Sequence, residues 1–377
     1  MTSPLFSPLT IRDLTLKNRL AVSPMCQYSA RHGLANDWHF AHLARFALGG
    51  FGTVMVEATG VTAEGRITYG CLGLWDDAQI APLARIAAVV KSQGAAAAIQ
   101  LGHAGRKAST ALWWRNGFDE TDAEKADVAF EHWKPVGPMP IAHVQDDEYQ
   151  TPRALEIGEF PALVQSFADA ATRADKAGFD IVEIHAAHGY LLNQFLSPLG
   201  NQRTDAYGGS FDNRTRLPLE IVQAMRAVWP AGKPLFMRMS VQDAAPGGWT
   251  VEDSIAFSRI IREMGVDLID CSSGGFEGAT LNVGPCFQAP LAQALRSSGM
   301  PTMAVGLIST PQEAEALVAG GHSDLIALGR TALDDPNWPH HARAALEGDD
   351  SYAHWPRQTG FAVRNRDRSL RRTPQVS

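Results

Sequence analysis

Two histidines and a tyrosine follow one another at 185, 188 and 190, in the run Glu183-Ile184-His185-Ala186-Ala187-His188-Gly189-Tyr190. Residues 181–184 read as a buried strand, and alternate strand positions with the first loop residues after them can point into one pocket. Two imidazoles can donate hydrogen bonds to one oxygen atom, and a phenol beside them can supply a proton. That set suits polarising a carbonyl and protonating the carbon next to it. His-x-x-His also occurs in metal sites. Here the glutamate of His-Glu-x-x-His is missing and no carboxylate ligand is evident beside the pair, so no metal is expected.

Other chemistry-bearing residues also fall at strand ends. Val305-Gly306-Leu307-Ile308 and Leu328-Gly329-Arg330 place glycines where backbone N–H groups can approach a phosphate, with Arg330 adding a charge-assisted bond. Read alone, such glycines are equally often plain turns. Gln100 brings both a donor and an acceptor. Arg238 is either a fixed charge in a site or half of a structural ion pair, and Cys26 alone would be a buried thiol without a role.

These residues need a frame. Strands are expected over 20–23, 53–58, 96–101, 181–185, 235–239, 268–271, 302–305 and 325–328, each short and apolar enough to be buried on both faces. Helical patterns follow them at 39–48, 78–92, 160–177, 213–228, 251–264, 289–297, 311–319 and 336–345. Thr250 and Thr310 are start signals, and Gly94, Gly178, Gly265 and Gly320 are stop signals. Eight strand–helix pairs is the count of a (β/α)8 TIM barrel. Periodicity leaves an open sheet possible, although no G-x-G-x-x-G turn follows the first strand.

The third connection is anomalous. Residues 102–158 exceed the usual βα loop of about 2–6 residues, so a long insertion after strand 3 is expected. It either covers the active site or forms a surface excursion around Trp113, Trp114 and Trp133. The organisation expected is one barrel over 1–345 and a tail over 346–377, partly disordered or at a subunit interface, whose six arginines past Trp355 face one acid.

At 377 residues with 45% hydrophobic content, one large core is affordable, and a net charge of -7 argues against nucleic-acid binding. Cys26, Cys71, Cys271 and Cys286 are scattered, without the pairing of a zinc or iron–sulfur site. With no visible signal segment and no membrane-length apolar run, a cytoplasmic protein is expected.

The 185–198 segment and the run Asn201–Arg214 together resemble the Old Yellow Enzyme family of flavin-dependent ene-reductases. Ser23-Pro24-Met25-Cys26-Gln27-Tyr28 is similar to its thermophilic-like branch, which includes xenobiotic reductases. The resemblance spans nearly the whole chain and implies the barrel, with non-covalent FMN at its mouth. It implies that Ser23, Pro24, Met25 and Cys26 lie along the flavin ring, with Cys26 tuning it, and that Ala58 and Gln100 contact it. Arg238 would sit beside the ring's N1 edge, while Gly306, Gly329 and Arg330 would bind the phosphate. His185 and His188 would hold the substrate oxygen, Tyr190 would donate the proton and Tyr28 would edge the pocket. Trp355 would be a substrate-pocket residue supplied to a neighbouring subunit of a homodimer or homotetramer.

The implied activity is ping-pong reduction of α,β-unsaturated carbonyl or nitro compounds. NADPH is the transient reductant, NADH being possible, and small-molecule activated alkenes are the only partners implied. Two alternatives remain: a superfamily reductase with a specialised, dienoyl-CoA-like substrate, and a flavoprotein sensor with incidental turnover. Scattered cysteines speak against the first, and the intact Tyr190 and histidine pair against the second.

Overall fold

The computed structural model describes residues 3–112, 133–144, 149–348 and 351–372. Its strands are β1 (Leu9–Ile11), β2 (Leu14–Leu16), β3 (Leu20–Val22), β4 (Thr53–Gly60), β5 (Ala96–Gly102), β6 (Val136–Gly137), β7 (Arg153–Ala154), β8 (Ile181–Ala186), β9 (Leu235–Ser240), β10 (Leu268–Ser272), β11 (Thr302–Ala304) and β12 (Leu325–Leu328). The order β3-β4-β5-β8-β9-β10-β11-β12 closes on itself as a barrel, with every pair parallel. The eight expected strands are these eight.

Both faces of the strands are buried because the barrel has two apolar surfaces. Inside, Ala21, Met55, Ala98, Ile181, Phe236, Leu268, Met303 and Ala327 form one cluster, into which Ile11 and Leu16 also pack. These two come from the β1–β2 hairpin, whose three-residue strands are too short to show alternation in the sequence. Outside, a larger cluster joins the strands to the surrounding helices.

The helices are α1 (Asp37–Leu48), α2 (Ile80–Ser92), α3 (Phe160–Lys176), α4 (Leu191–Leu196), α5 (Phe211–Val228), α6 (Val251–Glu263), α7 (Ala289–Leu295), α8 (Pro311–Ala319), α9 (Arg330–Asp334), α10 (Trp338–Glu347) and α11 (Arg357–Arg372). Asn36, Ser210, Thr250 and Thr310 cap α1, α5, α6 and α8 with their side chains. Each cap satisfies a backbone donor that the first helical turn leaves open.

Three helices lie outside the expected set: α4, the five-residue α9 and α11. The fully buried α4 follows the histidine run directly, too short to show a period. The arginine-rich tail, expected to be partly disordered or at a subunit interface, is helical over Arg357–Arg372, with the Tyr352 hydroxyl bonded to Asp367. Arginine favours helix even without an apolar stripe. Residues 373–377 lie outside the described residues.

Of the long connection after β5, Trp113, Trp114 and the acidic stretch 119–124 also lie outside the described residues. Trp133 donates from Nε1 to Glu64 O at 2.8 Å, and β6 pairs with β7 over two residues. Side chains of the Asn201–Arg214 segment hold the loop that leads into α5. Arg203 pairs with Asp205 at 2.6 Å, and Arg214 Nε donates to Leu196 O at 2.8 Å.

Candidate active site

Strand β8 delivers Glu183 and His185 on alternate positions and then ends at Ala186. The chain turns through two left-handed residues, His188 (φ 60) and Gly189 (φ 71), before Tyr190, the extended residue that precedes α4. A non-glycine residue at positive φ is held there by its surroundings. Ser240 Oγ accepts from His188 N at 2.9 Å, and Lys107 Nζ donates to His188 O at 2.9 Å. Gly189 has a second constraint: a Cβ there would stand 2.0 Å from Gly275 O. Only glycine lets the two loops touch.

The turn brings three rings together edge-on. The His185 and His188 centroids are 5.1 Å apart, and Tyr190 lies 4.8 Å from His185 and 6.3 Å from His188. Ala187 N donates to His185 Nδ1 at 3.2 Å, which leaves the His185 proton on Nε2, facing His188 Nδ1 at 3.3 Å. His188 then carries its own proton on Nε2, 2.7 Å from Ser272 Oγ. Burial, reinforced by the Arg238 guanidinium, holds both imidazoles well below their ordinary value. Burial pushes the Tyr190 phenol well up. Near neutrality the site therefore has two neutral N–H donors and one protonated phenol.

Beneath the rings, strand register assembles a charged layer. Gln100 pairs with Glu183, and Arg238 stands between His185 and Asp270. Gln100 Nε2 donates to Glu183 Oε1 at 2.7 Å, Arg238 Nη1 donates to Ser23 Oγ at 3.1 Å, and Arg238 Nε lies 3.3 Å from Asp270 Oδ2. Glu183 Oε2, both Asp270 oxygens and Arg238 Nε are buried without a hydrogen-bond partner. Burial pushes the Glu183 carboxyl well up, aided by Asp270; burial also raises Asp270, opposed by Arg238. Arg238 thus belongs both to an ion pair and to the site, the two roles the sequence left open. Sequence reasoning did not single out Glu183, Asp270, Ser240, Ser272 or Lys107. Only the inward-facing position of the acids on their strands could have signalled them.

A cleft opens beside the rings, lined by residues that include Ala58, Arg66, Ile67, His103, His185 and Tyr190. Tyr28, Cys26 and Tyr190 pack against one small group formed by Ile67, Cys71, Ala104 and Ala108. Ser23 N donates to Leu328 O at 3.0 Å, and Met25 Sδ would lie 3.7 Å from a Cβ on Gly329, so the segment after β3 runs beside the end of β12. Pro24 lies in that segment. Gly306 has φ 113, and a Cβ there would meet Phe287 and Gln288 at 3.0–3.2 Å. Gly329 precedes α9, which Arg330 begins.

Trp355 is elsewhere. It stacks on His340 at 4.6 Å and lies near His341 and Tyr352, and it does not line this chain's cleft.

This rim can accept a flavin mononucleotide. Arg238 Nε, ion-paired with Asp270 but making no hydrogen bond, the Ser23 hydroxyl and the Gln100 amide form a polar edge, and Gly306, Gly329 and Arg330 follow the last two barrel strands. Apolar Met25 and Ala58 lie on the same rim.

Comparison with known proteins gives the same picture. Residues 4–349 match the NADH:flavin oxidoreductase / NADH oxidase family. The chain is 44% identical over 349 residues to an NADPH dehydrogenase of Geobacillus thermodenitrificans, covering 92% of this chain and 95% of that one. Morphinone reductase superposes with a TM-score of 0.74 at 25% identity, over 92% of this chain and 90% of the other. An old yellow enzyme homologue from Zymomonas mobilis shares the fold, with a TM-score of 0.72 at 24% identity, over 93% and 96%.

Proposed function

The chain belongs to the NADH:flavin oxidoreductase / NADH oxidase family, so it uses FMN and NAD(P)H, and on that premise we propose that it is an ene-reductase. Its substrates are α,β-unsaturated carbonyl or nitro compounds, with NADPH as reductant. The observation that carries this is the convergence of two neutral imidazoles and one protonated phenol beside a cleft.

FMN, when bound, supplies the hydride, taken from the nicotinamide and given to the electron-poor alkene carbon. Ser23, Pro24, Met25 and Cys26 would flank its ring, with Ala58, Gln100 and Arg238 at its edges. Gly306, Gly329 and Arg330 would hold the phosphate. His185 Nε2–H and His188 Nε2–H turn from their protein partners to the substrate's activating oxygen and draw charge out of the double bond. Because both rings are neutral, they polarise this oxygen without surrendering a proton to it. Tyr190 gives its hydroxyl proton to the adjacent carbon, and Tyr28 closes the pocket edge. Nicotinamide and alkene use the same cleft in turn, giving ping-pong kinetics. The same reading has the protein cytoplasmic and a homodimer or homotetramer, with Trp355 offered to a neighbouring copy.

The test is a titration of the oxidised protein with p-hydroxybenzaldehyde. A phenolate held by both imidazoles over the flavin gives a long-wavelength absorbance band. His185→Ala and His188→Ala should each abolish the band while FMN stays bound. A band of unchanged strength in both variants contradicts the assignment.

A further inference from the structure

The proposed reduction assigns no part to Asp270. Phe236 and Leu268 pack into the apolar cluster inside the barrel, and two residues further along the same strands stand Arg238 and Asp270. Strand alternation turns both side chains inward, one layer above that apolar floor. Ala98 and Ile181 precede Gln100 and Glu183 in the same way. The barrel therefore carries a polar layer over an apolar one, at the strand ends where the flavin would lie.

Within the polar layer Arg238 meets Asp270. Register sets the two residues side by side on β9 and β10, and Arg238 Nε lies 3.3 Å from Asp270 Oδ2. Their side chains are 9% and 0% exposed. Arg238 Nε and both Asp270 oxygens make no hydrogen bond, so charge alone joins them. Glu183 is tied to Gln100 instead, and burial keeps its proton on.

Reduction changes the charge of the flavin. Hydride brings two electrons and one proton, so the ring gains one negative charge unless a second proton joins it. A lone guanidinium at the ring's edge would hold that charge tightly and disfavour passing the hydride on. A carboxylate beside the guanidinium offsets it. We propose that Asp270 lowers the reduction potential of bound FMN by offsetting the charge of Arg238, as a positioning residue that touches neither flavin nor substrate. The lower potential favours delivery of hydride to the alkene over its retention on the ring. The inference rests on the placement of Arg238 at the flavin edge given above, and not on which alkene is reduced. A unit charge acting over about 10 Å at an effective dielectric constant of about 20 changes an equilibrium constant about tenfold.

The experiment titrates the FMN-loaded protein against a reference dye of known potential and reads both absorbances. Asp270→Asn removes the charge and keeps the shape. At a fixed potential its ratio of reduced to oxidised FMN should exceed that of the wild type about tenfold, which is about 30 mV for a two-electron couple. Asp270→Ser, smaller and equally neutral, should shift in the same direction, so the result does not depend on how asparagine packs. Arg238→Met/Asp270→Asn, with neither charge, should return to within about threefold of the wild type. An unchanged potential in the two single variants overturns the proposal, because the flavin then senses no charge at Asp270. A lowered potential also overturns it, because Asp270 would then only hold the guanidinium in place. If the double variant instead stays as high as Asp270→Asn, Arg238 does not face the flavin, and that placement falls together with the proposal.

Discussion

Arg238→Met leaves Asp270 and Glu183 buried without the cation that faces them, and the cost should depend on pH in a calculable way. Burial raises both carboxyls, and Arg238 opposes the rise in each. A carboxyl raised in the folded state keeps a proton that the unfolded chain releases, so its contribution to stability falls as pH climbs above the unfolded value of about 4. In the wild type both carboxyls are raised, Glu183 more strongly; in the variant Asp270 loses the opposing cation, rises further and keeps its proton to higher pH. One additional retained proton steepens the slope by about 1.36 kcal/mol per pH unit, hence about 2.7 kcal/mol between pH 5 and 7. Breaking a buried ion pair costs about 3–5 kcal/mol, the figure expected at pH 7, and at pH 5 most of it should be absent. Urea unfolding with FMN saturating, at both pH values, reads the difference. Arg238→Met/Asp270→Asn should remove the additional slope. An equal loss at pH 5 and 7 would refute the reasoning, because it would mean that Asp270 stays ionised without its partner.

Further consequences follow from the same geometry. Gly189→Ala places a Cβ 2.0 Å from Gly275 O and strains φ 71, so it should destabilise the chain by about 2 kcal/mol or more and displace both His188 and Tyr190; a melting temperature and alkene turnover equal to wild type would contradict this. Because burial keeps His185 and His188 neutral, affinity for p-hydroxybenzaldehyde should rise with pH as the phenol ionises. A fall in affinity between pH 6 and 8 would instead reveal an imidazolium. Thr250→Ala deletes the side-chain cap of α6 and should cost about 1 kcal/mol by urea unfolding, with alkene turnover unchanged.

What the sequence revealed followed from contiguity. Residues 181–185 and 96–101 read as strands because they are short and apolar enough to be buried on both faces, and a barrel buries both. His185, His188 and Tyr190 were legible because one turn delivers all three. What was hidden depends on distance along the chain. Ser272 and Lys107 reach His188 from 84 and 81 residues away, which no local pattern encodes. The arginines of α11 suggested solvation, and composition carries no signal for the Tyr352–Asp367 contact beside that helix. Trp355, expected in a neighbouring subunit's pocket, stacks on His340 in the single chain, and its part in an assembly is a matter of partner contacts that no local pattern encodes.

The most direct test separates the two half-reactions in anaerobic stopped flow, comparing wild type with Tyr190→Phe. Flavin reduction by NADPH should be nearly equal in both. Reoxidation by 2-cyclohexenone should proceed in the wild type and be slower in the variant by about 10²–10⁴, the usual worth of a general acid. If no activated alkene reoxidises the wild-type flavin, or if the substitution slows both halves alike, the roles given to the imidazole pair and the phenol are wrong.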